Sequence, residues 1–167
     1  MEQLNWTAPF VAALIPLLLG MVWYQPQLFG RTWMTAAGMT DEKMKSGNRV
    51  LTFGLTYLIG LLVAMMLMPI TIHQMSIWSV LAEEPGIQDP QSEIGRYLGD
   101  FMNKYGNNFR TFKHGALHGL MTGLFLASPL IGFNTLFERK GWRYFAVNAG
   151  FWIVCLVLMG GIVCGWK

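Results

Sequence analysis

Charge is what this sequence has least of. Only 13% of its 167 residues are Asp, Glu, Lys or Arg, against roughly 25% in an ordinary soluble domain. The net charge of +3 is small and its cations are dispersed, which excludes a nucleic-acid-binding surface. Catalytic signatures are missing as well: G-x-S-x-G, C-x-x-C and G-x-x-x-x-G-K-[ST] do not occur. No catalytic or cofactor-binding residue is therefore assigned, and the chain reads as non-enzymatic. Ionisable groups are absent from the middle of every apolar run, which argues against an ion-coupled pump. Cysteine is scarce too. Cys155 and Cys164 share the last apolar run, where about 13.5 Å of helical rise separates them. That is beyond disulfide reach, so both are expected to be buried as small apolar residues.

What the chain has instead is apolar surface. Hydrophobic residues make up 53%, with 19 Gly, 12 Met and 7 Trp, and the mean hydropathy is +0.39. These values predict an all-α integral membrane protein. Four transmembrane helices are expected, over residues 9–25, 50–72, 114–137 and 142–165, in a single domain spanning 1–167. The first run is preceded by one charge, Glu2, and lacks an A-x-A cleavage site. It is therefore read as an uncleaved span rather than a signal peptide. Pro16 should bend it, as Pro69 and Pro129 should bend the second and third.

The connections carry their own signals. After the first span, Pro26 stops the helix and Gly30 permits a turn. Residues 34–37 read as a short interfacial helix ending at Gly38, followed by an N-cap at Thr40 with Asp41 and Glu42 in the first turn. The segment 73–113 is long for a structureless loop. Its residues 93–105 place Ile94, Tyr97, Leu98, Phe101, Met102 and Tyr105 on one helical face. Arg96, Asp100, Asn103 and Lys104 fall on the other, which predicts an amphipathic helix at the membrane surface or on the end of the bundle.

The run GMVWYQPQLFGRTWM carries the pattern G-x-x-W-Y-x-P-x-x-F-G-x-x-W-M through Gly20, Trp23, Tyr24, Pro26, Phe29, Gly30 and Trp33. It resembles the bacterial membrane family known as domain of unknown function 1761, and NFRTFKHGALHG and NTLFERKGWRYFAVNAG resemble one branch of it. The resemblance runs the length of the chain. It implies a small polytopic membrane protein and brings no catalytic or ligand residues. Independently of it, aromatics grouped at a span's end suit the lipid headgroup region.

Sidedness follows from the basic residues. Arg31, Lys43, Lys45, Arg49, Arg139, Lys140 and Arg143 fall in the first and third loops; Arg96, Lys104, Arg110, Lys113 and Lys167 fall on the other side. The first group is the larger, so these loops are expected in the cytoplasm of a bacterial inner membrane. Both termini and residues 73–113 are then expected on the outer, periplasmic side.

Three groups of residues are candidates for function. Gly115, Gly119, Gly123 and Ala127 recur every four residues, a bare stripe that suits close helix packing. It could seat a helix of this chain, the second or fourth span, or one from another copy. His73, His114 and His118 are the only histidines and all fall at one membrane end. The i, i+4 pair at 114 and 118 can chelate a divalent metal, with a carboxylate of the acidic loop as a further ligand; the plainer reading is a polar cluster capping the bundle. Thr122, Asn134 and Asn148 are the intramembrane polar residues. They read as interhelical hydrogen-bonding groups, Asn134 with Asn148, or as a polar path. The preferred function is a self-associating protein or accessory subunit of a membrane assembly, with membrane lipid and a homo-oligomer or larger complex as partners. An oligomeric channel or small-solute transporter, and a metal site at the outer histidines, are the alternatives.

Overall fold

The computed structural model describes residues 4–167; Glu2 lies outside them. Among the described residues there are helices and no strands. Helices α1 (Ala8–Ala12) and α2 (Ile15–Trp23) form the first apolar stretch. α3 (Gly30–Ala37) and α4 (Asp41–Ser46) fill the first loop. The long helix α5 (Arg49–Thr71) leads into α6 (Gln74–Val80) and, after a turn-rich stretch, α7 (Glu93–Tyr105). α8 (Phe112–Thr122) continues through a π-helical turn, Gly123–Ala127, into α9 (Ser128–Phe137), and α10 (Trp142–Gly165) closes the chain.

Three stretches are long and apolar enough to cross a membrane: Arg49–Thr71, Phe112–Phe137 and Trp142–Gly165. The first stretch, Ala8–Trp23, is apolar but shorter. Its expected single helix over 9–25 is two helices, broken at Ala13 and Leu14. Pro16 has no N–H to give the carbonyl of Ala12, and Leu14 N bonds to Val11 O at 3.1 Å, a tighter turn. In the third stretch the distortion falls just before Pro129. Ser128 N and its hydroxyl both bond to Gly123 O, the latter at 2.8 Å, which opens the ladder into the π turn.

Local capping follows the sequence. The Thr40 side chain accepts from Lys43 N at 3.3 Å, and Gly38 takes the left-handed conformation at the end of α3. That helix begins at Gly30, four residues earlier than the short stretch expected. A Cβ at Gly30 would lie 2.3 Å from Tyr24 O, so only glycine lets α3 start against the preceding turn.

α10 is the central helix. Over its apolar window 56% of residues are buried within the chain, against 17% for Arg49–Thr71 and for Phe112–Phe137. It packs most extensively on α8 and also meets α1, α5 and α9. The α8–α10 seam is made by glycine: a Cβ at Gly115 would lie 2.0 Å from Gly160 O, at Gly119 2.0 Å from Leu156 O, and at Gly123 2.9 Å from Ile153 Cα. Backbones this close gain dispersion contacts that larger residues would prevent. The core beside the seam is apolar and includes Leu67, Ile72, Phe151, Cys155, Met159 and Val163. Cys155 and Cys164 are free and buried.

Candidate functional site

The seam sets the height of α8 against α10, and the end of α5 comes to the same level. His73 follows the last turn of α5 and stands at the N-cap of α6. The Thr111 hydroxyl caps α8 by accepting from His114 N at 3.2 Å, which starts the helix at Phe112 and puts His114 one turn before His118. The three imidazoles meet. His114 Nε2 and His73 Nε2 are 2.9 Å apart. Ring centroids lie 4.5 Å apart for His114 and His118, 4.9 Å for His73 and His114, and 5.0 Å for His73 and His118. One ring nitrogen from each falls within 4.8 Å of the other two. His73 is exposed and the other two are half-buried, so the cluster is reachable from outside.

This donor set could hold a metal ion. Three neutral imidazoles suit zinc, copper or nickel rather than magnesium or calcium. Ligands about 2.05 Å from a tetrahedral ion stand about 3.3 Å apart; here one pair stands at 2.9 Å and all three nitrogens lie within 4.8 Å. No carboxylate belongs to the group, so the acidic loop residue expected as a further ligand does not join it.

Two features hold the site together that the sequence did not single out. Arg110, buried to 3% exposure, donates from Nε to Cys164 O at 2.9 Å and from Nη2 to Trp166 O at 3.3 Å. It caps the carbonyl end of α10, where a cation is favoured, and ties the turn before α8 to that end. Burial pulls its guanidinium below the ordinary arginine range. Its neighbour Phe109 takes a left-handed φ of 61° and places its ring 5.2 Å from His114. Gln74 donates from Nε2 to Asn108 O at 2.8 Å and Tyr105 O at 3.3 Å, fastening the end of α7 beside His73. A cleft of about 330 Å³ opens there, walled by Phe101, Tyr105 and Phe109. Arg110 was legible only as one of several loop cations. The signal that marks it is its place directly before the N-cap Thr111. Replacing Arg110 with Ala removes charged hydrogen bonds worth about 1.5–3 kcal/mol each. We expect a fall of several degrees in the detergent melting temperature, with Arg110→Lys intermediate.

The other candidates are placed elsewhere. Thr122 bonds back to His118 O at 2.8 Å, and Asn134 is exposed. Asn148 does not make the expected bond to Asn134; it accepts from the Tyr24 hydroxyl at 3.2 Å and donates to Tyr144 O at 2.7 Å. The aromatic motif folds onto α10: Trp23 Nε1 donates to Val147 O at 3.2 Å, the Trp23 and Phe29 rings are 4.5 Å apart, and Tyr24 stacks edgewise on Trp33 at 5.3 Å. Gly20 approaches Phe151, and Pro26 lies in the turn that precedes α3.

Compared with known proteins, the chain matches over residues 7–164 a family model described as "Protein of unknown function (DUF1761)". No curated protein and no solved structure matches.

Proposed function

The chain belongs to the DUF1761 family of proteins of unknown function, and from that premise we propose that it is a membrane protein that binds a divalent transition metal at the end of its helix bundle. The observation that carries this reading is the convergence of His73, His114 and His118 from separate helical segments onto one point. Three imidazoles leave a fourth position open for water or a ligand. The pairing of tag-free protein with its His114→Ala/His118→Ala variant tests it. Wild type should retain about one zinc, copper or nickel ion per chain and the variant none; absence of metal binding in both ends the reading.

In the full reading, α1 and α2 together make a fourth, thinner span of one membrane domain, and α7 lies along the surface with Leu98, Phe101 and Met102 turned inward. Tyr97, at 60% exposure, is left outside that inner face. The basic loops face the cytoplasm, and both termini and the histidines face outward. A reporter active only in the cytoplasm, fused after Lys167, should stay silent; activity there reverses the orientation.

Metal binding takes the place of self-association as the leading function. The exposed apolar residues of α5, such as Leu58, Leu62 and Met66, are what surrounding lipid covers, so they call for no second copy. Thr122 and Asn148, two of the three residues the channel alternative would draw on, bond within or between helices of this chain, to His118 and to Tyr24 and Tyr144.

A further inference from the structure

At the opposite end of α10 from the histidines lies a cleft of about 420 Å³, formed by α3, the turn before α10 and the first residues of α10. Arg31, Lys140 and Arg143 line it, with the Thr32 and Thr35 hydroxyls, and no acidic side chain does. Lys140 is held in place by a 3.0 Å bond from Nζ to Ala37 O. Among the described residues neither the Arg31 nor the Arg143 guanidinium has a carboxylate or carbonyl partner. The N-cap of α10 is Gly141, which offers no side chain to the first-turn N–H groups, so the helix dipole adds to the positive field.

A second cleft, of about 600 Å³, shares Thr32, Trp142 and Arg143 with the first. It continues along α10 past Ala146 and Val147 to Gly150, walled by Trp23 and Phe29. The eight steps from Trp142 to Gly150 rise about 12 Å, from headgroup level into the hydrocarbon if α10 spans the bilayer. A cationic mouth thus opens into an aromatic and apolar channel running along a membrane-length helix.

We propose that these joined clefts bind one anionic phospholipid, its phosphate among Arg31, Lys140 and Arg143 and one acyl chain along Trp23, Phe29 and Ala146. The cations match the phosphate, guanidinium forks suit its oxygens, and basic pockets between spans are a recurring lipid-headgroup device. The apolar extension distinguishes a lipid from a free anion. This assignment is independent of the metal site.

The full-length protein in uncharged detergent, titrated separately with phosphatidylglycerol, phosphatidylcholine and inorganic phosphate and followed by tryptophan fluorescence and native mass spectrometry, tests it. Phosphatidylglycerol should bind more tightly than either of the others. The double variant Arg31→Gln/Arg143→Gln should lose about tenfold or more in that affinity. Lys43→Gln/Lys45→Gln, which removes the same number of charges from α4, outside the cleft, should keep it. Ala146→Trp, which fills the apolar extension while leaving the cations, should weaken the lipid and spare any phosphate binding. Equal losses in both charge variants would reduce the effect to general surface charge and overturn the site. Phosphate binding as tight as the lipid, untouched by Ala146→Trp, would overturn the lipid assignment, as would equal affinity for phosphatidylcholine.

Discussion

Gly119→Leu should abolish the folded protein. A Cβ at this position would lie 2.0 Å from Leu156 O, 2.6 Å from Leu156 C and 2.9 Å from Val157 N. These are backbone atoms of α10 inside a continuous helix, so no rotamer change relieves the clash. The α8 and α10 axes must part, and the neighbouring contacts at Gly115 and Gly160 part with them. Overpacking costs about 1–3 kcal/mol even where side chains can adjust; here they cannot, and a cost above about 3 kcal/mol is expected. Gly54→Leu supplies the contrast. Nothing lies within 4 Å of a Cβ at Gly54, so the same change in another span should leave stability within about 0.5 kcal/mol. Size-exclusion profiles and melting curves in one detergent check both. A folded, monodisperse Gly119→Leu protein would mean that the seam is not where α8 meets α10.

The second large effect is on metal. His114 and His118 lie on one helix and could form a two-ligand chelate alone. His73 comes from the end of α5, and its Nε2 stands 2.9 Å from that of His114. If the site has three protein ligands, His73→Ala should weaken zinc or nickel binding as much as His118→Ala does. Loss of an outer-sphere partner alone costs 10–100-fold in affinity at established sites, so loss of a ligand should cost at least about 100-fold. Competition titration against a chelator reads this directly. An unchanged affinity in His73→Ala would reduce the site to a helical His pair.

The sequence and the structure part company in an instructive way. Periodicity marked the stripe at Gly115, Gly119 and Gly123, and cap chemistry marked Gly38 and Thr40, because both depend on residues near in the chain. Which helix the stripe meets depends on its fit to the carbonyls of Gly160 and Leu156, and no local pattern encodes that. The His114–His118 pair was legible for the same reason, whereas the closeness of His73 depends on how the end of α5 stands against the start of α8. The pairing of Tyr24 with Asn148 crosses 124 residues and displaced a bond expected between nearer neighbours. Pro16 correctly announced a disturbance, yet the break fell earlier, at the turn whose carbonyl loses its donor. Arg31, Lys140 and Arg143 entered the sequence reading only as votes on sidedness; their convergence on one cleft is a tertiary fact.

The central claim, a metal held by three histidines, is tested most directly by X-ray absorption at the zinc edge on tag-free, zinc-loaded protein. Three imidazole nitrogens at about 2.0–2.1 Å in a four-coordinate shell are expected, with one imidazole lost in His73→Ala. A six-coordinate oxygen shell, or a spectrum that His73→Ala leaves unchanged, would contradict it.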